Sequence, residues 1–172
     1  MQIQPEVIMM KDGRYIYIKT ILPDPDNARA LVAHTKKVLE ETNYLVRYPD
    51  EYTIDAEGEL RVLDTYLKSI DSFFIGAFDG DRLIGTLDGG PAKTYRRYRH
   101  RMEIGMAVQK DYWDNGIGSK LVENALCACR VRFKNIAQSG RNCRSVSASL
   151  ASNISTEISN CKPVFTTTIC KL

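Results

Sequence analysis

Residues 14–22 (RYIYIKTIL) alternate, with Tyr15, Tyr17 and Lys19 on one side and Ile16, Ile18 and Thr20 on the other, which predicts a strand. Asp24-Pro25 follows as an N-cap and first helical residue. Ala28, Leu31, Val32, Thr35, Val38 and Leu39 then recur with the 3.6-residue period of a buried helix stripe, which leaves His34 on the helix surface. Residues 43–54 (NYLVRYPDEYTI) are polar and irregular, and Pro49 forbids a helix interior, so they are expected to form a loop. A second helix is predicted from a capping Asp55 to about Ser69, with Leu60, Leu63, Leu67 and Ile70 inward. Phe73–Phe78 and Arg82–Leu87 flank Asp79-Gly80-Asp81 as a hairpin, and Gly89-Gly90-Pro91 ends its second strand. Arg101–Val108 reads as a strand with Met102, Ile104, Met106 and Val108 on one face and Glu103, Gly105 and Ala107 on the other. A short loop, Gln109–Trp113, leads to Gly116-Ile117-Gly118, which opens a third helix with Ile117, Leu121, Ala125 and Ala128 as its stripe. This order predicts an α/β or α+β fold, a mixed sheet with helices packed on it.

Composition narrows the class. The chain has 172 residues, 44% hydrophobic and 26% charged, which suits one soluble domain with its own core. No apolar run approaches the roughly 20 residues that span a bilayer, and residues 1–10 lack the pattern of a signal peptide, so a cytoplasmic protein with no membrane partner is expected. A net charge of +3 is too small to argue for nucleic acid. Lys93–Arg101 with Tyr95 and Tyr98 does interleave basic and aromatic residues, but a solvated strand face explains that run, and nucleic acid is not expected as a partner.

The averages hide a break after Leu126. Of 21 acidic residues only Glu157 lies beyond it, all nine tyrosines precede it, and all five cysteines (Cys127, Cys129, Cys143, Cys161, Cys170) follow it. An odd cysteine count fits reduced thiols. Cys127-x-Cys129 lacks the spacing of a zinc or redox pair, and there are only two histidines, so no metal is expected.

The chemistry concentrates in Met102–Leu121 (MEIGMAVQKDYWDNGIGSKL), where a strand passes through a loop and a Gly-x-Gly turn into a helix. The first amides of such a helix lack internal partners and sit at the positive end of its dipole, so an anionic phosphate is their natural ligand. Glycines at 116 and 118 remove the Cβ atoms that would hold a diphosphate away; close packing at the turn is the competing explanation. Neither the P-loop pattern nor the dinucleotide G-x-G-x-x-G is present, since Leu121 stands where the third glycine would be.

This stretch resembles motif A of the GNAT (Gcn5-related) N-acetyltransferases, a strand ending in Val followed by Gln/Arg-x-x-Gly-x-Gly/Ala. Val108 is the strand-end residue and Trp113-Asp114-Asn115-Gly116-Ile117-Gly118 the loop, with Trp113 departing from Gln/Arg. Arg99–Gly105 (RHRMEIG), the polar loop Glu41–Tyr52 and the preceding hairpin resemble one bacterial branch of the family. The resemblance implies a GNAT-like mixed, mostly antiparallel central sheet flanked by helices. It implies one domain over 14–172, well matched over 14–126, with 1–13 as an N-terminal extension and 127–172 as a divergent tail. It implies an acyltransferase moving an acetyl group from acetyl-CoA, its co-substrate, to a primary amine acceptor. Met106, Ala107 and Val108 would then lie beside pantetheine and the acyl carbonyl. Asp114, Asn115, Gly116, Ile117, Gly118, Ser119 and Lys120 would hold the diphosphate. Glu103 is the candidate general base, taking the amine proton directly or through water, with pairing to Arg99 or Arg101 as its alternative role. Backbone N–H groups near Ala107 would stabilise the oxyanion. Asn43–Thr53 and Gly89–Tyr98 are the expected acceptor contacts.

Beyond Leu126 the resemblance thins. Val146–Asn153 (VSASLASN) reads as the next strand, ending at Asn153 as a coenzyme A contact, with Phe165 twelve residues later. Asn160 stands where the family usually has a Tyr acting as general acid, and Val164 replaces a Gly. Two accounts fit: a divergent native closing half, or a reading-frame slip near Cys127–Arg130. The alternative function is a non-catalytic or truncated GNAT remnant with weak or no coenzyme A binding.

Overall fold

The computed structural model describes residues 2–42, 45, 47–91, 101–137 and 164–170. Six strands, β1 (Glu6–Met9), β2 (Tyr15–Thr20), β3 (Phe73–Asp79), β4 (Arg82–Pro91), β5 (Arg101–Val108) and β6 (Val164–Cys170), form one sheet in sequence order. Every pairing among them is antiparallel, so a parallel component of the expected mixed sheet is not found among the described residues. β1 lies in the N-terminal extension and caps the edge of β2.

Local sequence sets the helix starts. α1 (Pro25–Glu41) begins with Pro25 at its first position, and the Asp24 carboxylate accepts from the amides of Asp26 and Asn27. α2 (Ala56–Lys68) begins at Asp55, which accepts from the Gly58 amide. Between them Pro49–Glu51 makes a single 3-10 turn within the expected loop. α3 (Ile117–Ala137) buries Ile117, Leu121, Val122, Ala125 and Ala128, in agreement with the sequence stripe.

The two faces of the sheet carry different layers. Ile16, Ile18, Ile75, Leu87, Ile104, Met106 and Val108 pack with Ile117, Leu121, Val122 and Ala125 of α3. On the other face Leu31 of α1 and Leu63 of α2 pack with Ile21, Phe78 and Leu83. A bulge pairs Ala77 with Gly85 and Phe78 with Leu83, leaving Ile84 as the extra residue and turning it into the α3 core.

Three expectations are corrected. His34 is not on the surface of α1 but 2% exposed, because it falls between Leu31 and Val38 on the buried stripe. On α2, Leu67 is exposed while Glu59 and Leu63 are buried, so the inward face is rotated from the expected stripe, and Ile70 lies beyond the helix end and is exposed. β4 continues through Gly89 and Gly90 to Pro91 rather than stopping before them. Gly89 lies opposite Phe73, and a Cβ there would meet the Phe73 ring at 2.5 Å.

Candidate functional site

β5 ends at Val108 and hands the chain to a tightly held turn. The Gln109 amide donates to the Ile84 carbonyl at 2.9 Å, and Trp113 Nε1 donates to the Val108 carbonyl at 2.8 Å. Asn115 Nδ2 donates to the Trp113 carbonyl at 2.9 Å. From α1, Glu41 accepts from the Lys110 amide at 2.7 Å and Lys37 pairs with Asp111 at 2.8 Å, which holds the Asp111 carboxyl below the usual carboxylate range. From the sheet, Asp79 accepts from the Tyr112 hydroxyl at 2.9 Å. The turn is therefore fixed on both sides before α3 begins.

Asp114 and Gly116 take positive φ, 60° and 75°, and so aim the backbone at the first turn of α3. The Lys120 amide makes the first helical bond, to the Gly116 carbonyl at 3.0 Å. The amides of Ile117, Gly118 and Ser119 precede it and have no intrahelical carbonyl to meet. No acidic residue occupies the first turn of α3, and a Cβ on Gly116 would meet nothing within 4 Å. This cradle fits a diphosphate: open, backbone-lined and free of acidic side chains within the helix start. Gly118 is set more closely, since a Cβ there would lie 3.2 Å from Met106 Cε. Lys120, expected beside the diphosphate, pairs with Glu123 at 2.8 Å and Glu6 at 3.4 Å. Ser119 and Asp114 are exposed.

On the α1/α2 face of the same strand lies a cavity of about 410 Å³; Leu45 and Arg47 of its lining fall in the segment expected to contact the acceptor, while its side chains from α1, α2 and β4 were not anticipated. Its floor is Thr86 and Asp88 of β4 with Gly105 and Ala107 of β5, brought side by side by the register that pairs Thr86 with Ala107 and Asp88 with Gly105. α2 supplies Glu59 and Tyr66, α1 supplies His34, and Leu45, Arg47 and Ile54 come from the connecting segment. The Tyr66 hydroxyl donates to Asp88 Oδ2 at 2.8 Å, and the buried Tyr52 hydroxyl donates to Glu59 Oε1 at 2.6 Å. Withdrawal from solvent pushes the Asp88 carboxyl up, partly offset by the Tyr66 hydrogen bond. Burial and the neighbouring carboxylates push both tyrosines up as well, so they stay protonated donors.

His34 is held neutral. Arg82 donates to Gln109 Oε1 at 2.8 Å, which fixes the amide so that Gln109 Nε2 donates both to the Leu83 carbonyl at 3.0 Å and to His34 Nδ1 at 3.2 Å. His34 Nε2 therefore carries the proton, facing Thr86 Oγ1 at 3.3 Å. Burial, above all, lowers its pKa to about 3.

The expected site residues divide. Met106, Ala107 and Val108 do run directly into the α3 turn, and Asp114 to Lys120 form that turn and the helix start. β6, however, pairs β5 from Arg101 to Ala107, with Phe165 opposite Met106 and Val164 opposite Ala107, on the edge assigned to pantetheine. Glu103 stands on the expected face with Gly105 and Ala107 but is exposed, opposite Gly90 and Thr168, and does not line the cavity. Asn153, Asn160 and the basic run 93–100 lie outside the described residues. The signal that could have found Asp88 is its hairpin position: it is two residues beyond Thr86 on a strand facing the small residues of β5. Among the described residues no helix is long and apolar enough to cross a membrane, and no group of three or more His, Cys, Asp or Glu could hold a metal ion.

Comparison with known proteins gives the same account of the fold. A search of curated proteins finds no match. Among solved structures the chain is similar to an acetyltransferase of the GNAT family from Streptococcus pneumoniae, with 26% identity, a TM-score of 0.63 and 68% of each chain covered. It is also similar to the ribosomal-protein-alanine N-acetyltransferase of Brucella melitensis, with 21% identity, a TM-score of 0.56, and 67% of this chain and 68% of that chain covered. A third likeness is to yncA of Salmonella typhimurium, whose structure holds its cofactor acetyl-CoA; here identity is 14%, TM-score 0.58, and coverage 68% of this chain and 64% of that one. The sequence model of the acetyltransferase (GNAT) family matches residues 29–143, which include α1 from its second turn on, α2, the β3–β4 hairpin, β5 and the whole of α3. The chain belongs to the GNAT family of acetyltransferases.

Proposed function

We propose that this acetyltransferase moves an acetyl group from acetyl-CoA to a primary amine by direct attack, without a covalent enzyme intermediate. The observation that carries the reading is the juxtaposition across β5: an open helix N-terminus at one end of the strand and a carboxylate-bearing cavity over Gly105 and Ala107. Coenzyme A supplies, when bound, the acetyl thioester. The amides of Ile117, Gly118 and Ser119 hold its diphosphate, within the turn formed by Asp114, Asn115, Gly116 and Lys120. Met106, Ala107 and Val108 guide the pantetheine arm, and β6 has to give way at Val164 and Phe165 for that arm to lie along the strand edge. The amine must shed a proton to attack, and Glu103 and Asp88 are the carboxylates of β5 and β4 on the cavity side of the sheet.

Calorimetric titration with acetyl-CoA tests the reading: saturable one-to-one binding is expected, and its absence overturns it. The alternative, a non-catalytic GNAT remnant, is favoured by the hold of β6 on the β5 edge. Thiol release from acetyl-CoA above background with a panel of amines excludes that alternative.

A further inference from the structure

We infer that the cavity between α1, α2 and the β4–β5 pair is the acceptor site, that it selects a primary ammonium carried on an apolar arm, and that Asp88, not Glu103, binds that ammonium and takes its proton. The inference rests on the acyltransferase reading above and deepens it by naming the acceptor class and the proton acceptor.

Three features of the cavity converge. Its size, about 410 Å³, is that of a small-molecule pocket. Its walls are mostly apolar, with Leu31, Val38, Ile54, Val62 and Phe74 placed to bury a hydrocarbon or aromatic arm. Among the described lining residues the buried charges are negative: Asp88 and Glu59 face the cavity, and the one cation among them, Arg47, is exposed. An anionic acceptor would meet two carboxylates in a half-desolvated site, whereas an ammonium would complete their pairing. Asp88 is also placed for the reaction. A Cβ on Gly105 would stand 3.0 Å from Asp88 Oδ1, so the glycine leaves the approach to that oxygen open. Ala107, the residue beside the acyl group in the proposed mechanism, is on the same floor one cross-strand pair away. Tyr66 holds Oδ2 and leaves Oδ1 directed to the glycine.

The step balances as follows. The ammonium gives one proton to Asp88 and becomes the free amine. Its nitrogen bonds to the acetyl carbon as the carbon–sulfur bond breaks, and the second nitrogen proton ends on the departing thiolate. Asp88 returns its proton to solvent, so each turnover yields an N-acetyl amine, a free thiol and one proton. Among the described residues, the titratable and charged groups that line the cavity with Asp88 are Tyr66 and Glu59 on α2, His34 on α1 and Arg47 on the connecting segment; Tyr52 bonds to Glu59, and Glu103 stands two residues from Gly105 on the same face of β5.

The test uses the full chain with phenethylamine, phenylpropionate and phenethyl alcohol, which share an arm and differ in charge, and with Asp88→Asn and Glu103→Gln. Calorimetry without acetyl-CoA should detect phenethylamine but neither analogue, and Asp88→Asn should abolish that binding while leaving acetyl-CoA affinity within about two-fold. Thiol release with phenethylamine should fall about 10²–10³-fold in Asp88→Asn, recover in part as rising pH supplies free amine, and fall by clearly less in Glu103→Gln than in Asp88→Asn. Tyr66→Phe, which keeps the carboxylate but removes its donor, should move the acid limb of the rate profile to higher pH. Equal binding of phenylpropionate, no binding of phenethylamine, or unaltered turnover in Asp88→Asn overturns the inference. A 10²-fold loss confined to Glu103→Gln overturns it too, returning the base to β5. If phenethylamine binds through Asp88 but acetyl-CoA does not bind, the ammonium site stands and the acyltransferase reading falls.

Discussion

The two sides of β5 are built from different materials. At its end, the proposed cradle for an anion consists of consecutive backbone groups from residues 114–119, shaped by two positive φ angles and a helix start. On its α1/α2 face, the cavity consists of side chains from residues 34, 59, 66 and 88, gathered by two helices and a strand register. The first kind of site tolerates changes of side chain but not of backbone space. The second has the opposite sensitivity, because the pairs Tyr66–Asp88 and Tyr52–Glu59 exist only as side-chain contacts.

The largest expected effect that tests this contrast is at Gly118. Gly118→Val wedges a branched side chain between the first turn of α3 and Met106, which shifts the helix amides, and should weaken acetyl-CoA binding by at least about 100-fold. Because its Cβ would stand 3.2 Å from Met106 Cε, the melting temperature is measured alongside; the flexible thioether can yield in part, so a folded protein is expected. Normal acetyl-CoA titration of the folded variant would remove the cradle from the mechanism and with it one half of the comparison.

A second effect lies in stability. His34 is buried and neutral, with its pKa lowered to about 3 from the ordinary 6.5. A group depressed in the folded state binds its proton first in the unfolded chain, so acid favours unfolding: stability is full above about pH 6.5 and declines below it. The decline should approach about 1.4 kcal/mol per pH unit until the folded pKa is reached. In His34→Gln this slope should be absent, whatever the cost of the substitution at pH 7. Parallel denaturation curves for both proteins between pH 7 and 4.5 would mean that His34 is not the buried neutral group at the cavity wall.

Asp88 should show the reverse sign. Its carboxyl is pushed above its ordinary value of 3.8, so ionising it is less favourable in the folded chain than in the unfolded one. Its contribution to stability is thus fully present below the unfolded value and is lost as pH rises through the folded one. Asp88→Asn cannot ionise, and its amide oxygen can still accept from Tyr66. The variant should melt above the wild type at pH 7, with the difference closing below about pH 4. Such a gain in stability with a loss of turnover is the mark of a site strained for function; a variant that melts lower at pH 7 would make Asp88 a structural residue.

How much of this the sequence disclosed follows the same division. Asp24-Pro25, Asp55, the Gly80 turn and the strand over 101–108 were legible because each depends on neighbours a few residues away. The Gly-x-Gly helix start was legible for the same reason. His34 was not, because a histidine interrupts an apolar stripe on paper, yet one completing its hydrogen bonds through Gln109 and Thr86 is as well buried as a leucine. Glu59 and Tyr66 turned inward at the expense of Leu67 and Ile70, which no helical period could show without knowing that Asp88 and Tyr52 would be there to meet them. β6 was missed because Thr166, Thr167 and Thr168 blur the alternation that marks a strand.

The smallest expected effect is at Lys120, and it tests whether the donor side is as purely backbone as the geometry implies. Lys120 is the one cation in the first turn of α3, and a cation beside a diphosphate would ordinarily be a principal ligand. Here its ammonium already meets Glu123 at 2.8 Å and Glu6 at 3.4 Å, and both pairs are solvent-accessible. Turning to a diphosphate would exchange those partners rather than add one, so the net gain is small and screened by salt. Lys120→Ala should therefore weaken acetyl-CoA binding by less than about five-fold at physiological ionic strength, and by less still in high salt. Glu123→Gln, which releases the lysine from its nearer partner, should tighten binding slightly. Titrations of both variants beside Gly118→Val decide the point. If Lys120→Ala removes binding as completely as Gly118→Val, the anion is held by a side chain, and the donor side is built on the same plan as the acceptor cavity.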